Sequence, residues 1–117
     1  MGRMDKVNHQ MKREIAQVLQ EELSDPRLEF VTILEVDVSK DLQNAKVYFS
    51  TLGNPEQMRK AQEGIDGAAG KIRRLIAQRM PIRHMPELLF RLDESASFSA
   101  RIEQALAEIK DESKKRS

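Results

Sequence analysis

The fold turns on one run: Asn54-Pro55-Glu56-Gln57-Met58-Arg59-Lys60-Ala61-Gln62-Glu63-Gly64-Ile65-Asp66-Gly67-Ala68-Ala69-Gly70-Lys71-Ile72-Arg73-Arg74-Leu75-Ile76. It opens as a helix start. Asn54 suits the N-cap, Pro55 the first helical position, and Gln57 the place a capping box wants it. Apolar residues then recur at Met58, Ala61, Ile65, Ala68, Ile72, Leu75 and Ile76, the spacing of one helical face. Gly64, Gly67 and Gly70 interrupt at successive turns. Each glycine costs about 1 kcal/mol against alanine in a helix interior. The pattern predicts two helices meeting near Gly67 to Gly70, the second ended by Met80-Pro81.

Upstream of this run, Val36 and Val38 alternate with Glu35, Asp37 and Ser39. Ala45, Val47 and Phe49 alternate with Lys46, Tyr48 and Ser50. Two half-buried strands, Phe30 to Ser39 and Ala45 to Thr51, joined by the polar turn Lys40 to Asn44, read as an antiparallel hairpin with Leu34, Val36 and Val38 inward. Before them, Met4, Val7, Met11, Ile15, Val18, Leu19 and Leu23 mark an amphipathic helix stopped by Ser24-Asp25-Pro26. Downstream, Glu87 to Leu92 reads as a third strand with Leu88, Phe90 and Leu92 on one face. A last helix would be carried by Phe98, Ile102, Ala105, Leu106 and Ile109. The order is α-β-β-α-α-β plus a C-terminal helix, a single α+β domain over residues 1–110. Residues 111–117 lack apolar side chains and are expected to be a disordered charged tail.

A chain of 117 residues suits one domain, and 39% hydrophobic content allows a core while 33% charge demands a densely ionic surface. There is no Cys, which excludes disulfides, thiolate metal sites and a cysteine nucleophile. No apolar run approaches the ~20 residues of a membrane helix, and the N-terminus lacks the apolar stretch of a signal peptide. A soluble, cytoplasmic protein is expected. His9 and His84 have no neighbours at ligand or triad spacing, the carboxylates scatter to caps and turns, and no Walker loop occurs. No enzyme, cofactor or metal is indicated.

The net charge of +1 hides a segregation. Arg3, Lys6, Lys12 and Arg13 against Asp5 give residues 1–13 a charge of +3, and residues 71–91 carry +5 through Lys71, Arg73, Arg74, Arg79, Arg83 and Arg91 against Glu87. One positive face is the footprint of a polyanion site. The glycine cluster fits it: Gly64 to Gly67 and Gly67 to Gly70 both match GxxG, the loop that lets a KH backbone approach phosphates, and Lys71 follows directly. The plainer reading is a close helix–helix contact.

Several further motifs fall in register. Asp25-Pro26-Arg27, Val36-x-Val38-Ser39-x-Asp41-Leu42, Ala45-Lys46-Val47-Tyr48, Ala68-x-Gly70 before Arg73, and Pro86-Glu87-Leu88-x-Phe90 with Asp93-x-Ser95 together resemble the bacterial ribosome-binding factor A family, from about Arg3 to Ile109. The resemblance implies a type II KH-like fold with an interhelical Ala-x-Gly kink, here Ala68, Ala69 and Gly70. It implies binding to the small (30S) ribosomal subunit and 16S rRNA, and help in late maturation, notably in the cold. The expected partners are therefore 16S rRNA and the 30S subunit, bound by a monomer. The expected RNA-binding residues are Lys71, Arg73, Arg74, Arg79 and Arg83 with Arg3, Lys6, Lys12 and Arg13. The alternatives are a generic KH-type RNA binder, or a protein-interaction module using the acidic hairpin surface of Glu35, Asp37 and Asp41.

Overall fold

The computed structural model of the chain describes residues 2–93. The expected C-terminal helix and charged tail lie outside the described residues. Within them the order is α1 (Arg3–Glu21), a 3-10 turn (Pro26–Leu28), β1 (Val31–Val38), β2 (Asn44–Thr51), α2 (Pro55–Ala77) and β3 (Glu87–Leu92). The three strands form one sheet in the order β1-β2-β3, antiparallel between β1 and β2 and parallel between β2 and β3. α1 packs on β1, α2 packs on β3, and the helices touch each other. Both helices thus cover one face of a mixed α+β sheet. Met11, Ile15 and Val18 from α1 and Ile65, Ile72 and Ile76 from α2 meet Val36, Val47, Phe49 and Phe90 in the core.

The strand alternation is shifted at one point. Register slips between Ile33 and Glu35, so Ile33 rather than Leu34 joins Val36 and Val38 in the core, and Leu34 is half-buried. A bulge absorbs the extra residue and increases the local twist. The hairpin turn is closed by side chains. Asp41 accepts from the Ser39 hydroxyl (2.6 Å) and the Gln43 amide (3.1 Å), while Ser39 Oγ accepts from Asn44 N (3.1 Å).

The two-helix expectation is corrected: Ala68, Ala69 and Gly70 form no break, and α2 is one helix of 23 residues. It starts as its sequence predicts, with Gln57 N donating to Asn54 Oδ1 and Asn54 N donating to Gln57 Oε1, both at 2.8 Å. Three glycines weaken a helix by roughly 3 kcal/mol. Burial of Ala61, Ile65, Ile72 and Ile76 on one continuous face outweighs that, since a fully buried aliphatic side chain contributes about 1.5–3 kcal/mol. A break would split this face in two.

The glycines have separate roles. A Cβ on Gly67 or Gly70 would meet nothing within 4 Å among the described residues. At Gly64 it would stand 3.2–3.3 Å from Arg27 Nε, Asp25 Oδ2 and Leu28 Cδ2. Gly64 is where the 3-10 turn docks on α2. That turn is itself built by Asp25, which accepts from Arg27 N (2.9 Å) and Arg27 Nη2 (2.8 Å).

Two measurements follow. Gly70→Ala and Gly67→Ala each add about 1 kcal/mol of helix propensity without a clash, raising Tm by about 4–8 °C. Gly64→Ala gains clearly less, because its Cβ must displace the Asp25–Arg27 pair or Leu28. Equal gains at all three sites in thermal melts would show that the Gly64 contact is loose. Asp25 supplies a pH signature. The Arg27 side chain, and then its backbone N–H, hold the Asp25 carboxyl below its usual range. A lowered folded-state pKa stabilises above the unfolded value of about 3.9, and the contribution is lost as pH falls through the folded value. Asp25→Asn therefore melts slightly below the parent protein at pH 7, and the gap narrows below about pH 4. A gap that does not change with pH would mean the charge is irrelevant.

Candidate nucleic-acid interface

An unbroken α2 decides which cations share a surface. At ~100° per residue, Gly67, Gly70, Lys71 and Arg74 fall in one arc of roughly 100°. All four are exposed, and the arc faces away from the buried stripe of Ala61, Ile65, Ile72 and Ile76. Lys60, also exposed, lies on the same arc, 11 residues or about three turns before Lys71. A broken helix would have rotated Lys60 out of line, which is why the sequence alone did not single it out. Its signal is the 11-residue spacing.

The remaining cations of the block divide. Arg83 is exposed in the loop before β3. Arg73 is half-buried and reaches across that loop, donating from Nη2 to Met85 O (2.7 Å) and from Nε to Met85 O (3.2 Å) and Pro86 O (3.1 Å). Arg79, just past the helix end, lies among carboxylates of α1 and its C-cap: Glu22, the cap, at 3.2 Å, Glu21 at 3.9 Å and Glu14 at 4.0 Å. Both guanidinium groups are engaged by other parts of the chain, Arg73 in a part-buried site and Arg79 at the surface. On α1, Lys6 and Arg13 are exposed on the side opposite Met11, Ile15 and Val18, Arg3 is exposed on the flank of that stripe, and Lys12 is half-buried beside the β1 edge near Leu34 to Val36. Asn8 Oδ1 on the same helix accepts from Val38 N (3.1 Å) and so occupies one donor of that edge.

The opposite flank of α2 differs. A groove between α2 and β3 is lined by Met58, Gln62, Asp66, Ala69 and Leu92, with Glu63 and Glu87 on its rim. Gln62 Nε2 bridges Phe90 O (3.1 Å) and Asp66 Oδ1 (3.0 Å), closing part of the strand edge. Arg59 is held by Glu56 and Glu63. With the exposed Arg91 and Arg59 against Glu63, Asp66 and Glu87, this flank mixes both signs of charge, whereas the outward arc from Gly67 to Arg74 carries cations alone. Among the described residues no cluster of His, Asp and Glu is placed to hold a metal ion, and no helix is long and apolar enough to cross a membrane.

The described residues thus form a small α+β domain with two helices on one sheet face and exposed cations along α2. The chain belongs to the ribosome-binding factor A family, whose family model matches residues 3–106. A Brevibacillus brevis ribosome-binding factor A is 42% identical over 113 residues, 97% of this chain and 93% of the relative. The crystal structure of the Thermus thermophilus protein superposes with TM-score 0.69 at 29% identity, covering 76% of this chain and 93% of that one. A Thermus thermophilus ribosome-binding factor A fitted into the cryo-EM map of a 30S complex matches with TM-score 0.63 at 30% identity, covering 75% of this chain and 92% of that one.

The division of the arginines is measurable. Arg73→Ala leaves the Met85 and Pro86 carbonyls without their donor and should cost about 1.5–3 kcal/mol, the worth of hydrogen bonds to a charged group. Lys71→Ala and Arg74→Ala should stay within about 0.5 kcal/mol of the parent protein. Urea unfolding of the three variants checks this; comparable losses at Arg73 and Arg74 would remove the distinction.

Proposed function

We propose that this chain is a non-catalytic, cytoplasmic assembly factor that binds 16S rRNA on the 30S subunit as a monomer and assists its late maturation. The supporting observation is the outward arc of α2, where Lys60, Lys71 and Arg74 flank two open glycines. Arg83 and the α1 cations Arg3, Lys6, Lys12 and Arg13 extend the basic surface. The Thermus thermophilus relative in the 30S map supports the subunit as the target. The domain is of type II KH-like order with its two helices merged into one. Cations spaced along a helix, with glycine between them, engage phosphates by position and leave base identity unread. Recognition is then of RNA shape and backbone. The rival protein-interaction surface is weakened by its own register: Asp37 stands opposite Lys46, so the acidic hairpin face is partly neutralised.

Lys71→Glu combined with Arg74→Glu tests the reading. Both side chains are exposed, so the circular dichroism spectrum should remain native. Binding to small subunits and to an rRNA fragment should weaken, and the slope of log affinity against log salt should fall by about 0.7–0.9 per lost phosphate contact. Lys60→Glu should act in the same direction. Unchanged affinity and slope in a folded double variant would remove α2 as the RNA site.

A further inference from the structure

Among the described residues, the three large apolar side chains most open to solvent are Leu52 (62% exposed), Phe30 (56%) and Leu42 (46%). Leu42 sits in the hairpin turn. The other two are neighbours. β1 and β2 pair with Val31 opposite Thr51 and Thr32 opposite Ser50, so the next pair outward is Phe30 with Leu52. Antiparallel partners lie about 4.5–5.5 Å apart at Cα. By strand alternation this pair continues the sheet face away from α1 and α2: Ile33, Phe49 and Thr51 are buried under the helices, and Thr32 and Ser50 point the other way. Tyr48 on β2 and Leu89 on β3 share that outer face and are half-buried. Ser50 also lies on it, beside the Phe30–Leu52 pair, yet is only 6% exposed. A residue near the end of an open sheet face is expected to be wet.

The chain itself passes this patch. Asp93 N donates to Phe49 O at 2.8 Å, so β3 ends beside β2 just before Leu52 and runs in the same direction. Adjacent strands are about 4.8 Å apart, and Leu52 is three residues beyond Phe49, about 10 Å along the strand. Residues 94–97 can span up to about 14 Å. Beyond them lies Phe98-Ser99-Ala100-Arg101-Ile102-Glu103-Gln104-Ala105-Leu106-Ala107-Glu108-Ile109. At ~100° per residue, Phe98, Ile102, Ala105, Leu106 and Ile109 share an arc of roughly 100°, and Arg101, Glu103, Gln104 and Glu108 fall outside it. A helix of this length is about 18 Å long, enough to cross three strands. The family match also continues past β3, to residue 106.

We propose that the segment Phe98–Ile109 of the same chain covers the outer sheet face at this end, seating its apolar stripe on Phe30 and Leu52. The sheet is then sandwiched between α1 and α2 on one side and this segment on the other. The exposed apolar pair is an internal docking surface, and the basic residues from Lys110 onward are carried to the edge of the domain.

The absence of cysteine makes the test clean. In the full chain, Leu52→Cys is combined with Ile102→Cys or with Leu106→Cys, and a control joins Lys40→Cys, in the turn at the other end of the sheet, to each partner. Oxidation traps only pairs whose Cα atoms approach within about 7 Å. In dilute protein the Leu52 pairs should cross-link within one chain, several-fold more than the Lys40 pairs. Hydrogen exchange on the Cys-free chain gives an independent reading. Amides of 98–109 should be protected, and Leu52→Asp should release them while β1, β2 and β3 stay protected. Equal yields from the Leu52 and Lys40 pairs, with 98–109 exchanging at free-peptide rates, would overturn the proposal. A cross-link appearing mainly as a dimer and growing with concentration would assign the patch to a second copy. Protection gained only on adding small subunits would assign it to the ribosome, and either outcome also overturns the proposal.

Discussion

β2 and β3 lie side by side and run the same way, so the chain must return the full length of the sheet between them. That return is α2, whose 23 residues rise about 34 Å, whereas the eight residues of β2 extend about 27 Å. The helix is longer than the strand it has to match. Its C-terminal end overshoots, and the loop into β3 must fold back under it. Arg73 holds that loop by the carbonyls of Met85 and Pro86, and Arg79 at the overshooting end is received by Glu14 and Glu21 of α1 and by Glu22 at its C-cap. Two arginines of a run that looks uniformly basic are thus needed to close the crossover. The residues left open, Lys71, Arg74 and Arg83, are those that the crossover does not use.

The same constraint explains what could be read from the sequence. α1, both hairpin strands and β3 fall where their periodicity puts them, because each is a local pattern with a local stop: Ser24-Asp25-Pro26, the Ser39–Asn44 turn, and the Asn54–Gln57 cap. The continuity of α2 is not local. Three glycines counted alone argue for a break, and only the tertiary burial of Ile65, Ile72 and Ile76 on one stripe decides against it. The bulge that brings Ile33 inward in place of Leu34 is likewise invisible to strict alternation. For the candidate site, the basic block and the N-terminal cations were legible by charge. The engagement of Arg79 by α1 and its C-cap was not, since its partners lie 57 to 65 positions earlier in the chain.

Charge and apolar exposure also separate along the strands. β1 ends, and β2 and β3 begin, at the end of the sheet where Asn8 of α1 meets Val38 and Arg73 of α2 meets Met85. The exposed Phe30 and Leu52 sit at the opposite end, with the Arg27–Asp25 and Arg59–Glu56 pairs near the starts of the 3-10 turn and α2. Arg27 and Arg59 at this second end are paired with carboxylates, while Lys71, Arg74 and Arg83 toward the first are exposed. If α2 is the RNA site, as proposed, this uneven pairing would orient an approaching polyanion without any reading of bases.

Gly67 and Gly70 sharpen that argument. A glycine in a helix is ordinarily explained by a neighbour that leaves no room for a Cβ, or by a backbone angle other residues resist. Gly64 has the first reason. Among the described residues Gly67 and Gly70 have neither: they sit mid-helix with no neighbour within 4 Å of an added Cβ and no left-handed backbone. Within the isolated domain they only cost stability, about 2 kcal/mol together against alanine. What they do provide is a bare strip of helix backbone bordered by Lys71 and Arg74, on an exposed arc of α2 that packs against nothing among the described residues. A phosphate can come closer to such a strip than to any helix surface carrying side chains, and charge–charge attraction strengthens as that distance shortens. Nothing among the described residues occupies that side of the helix, and the RNA contact proposed above would give both glycines a use.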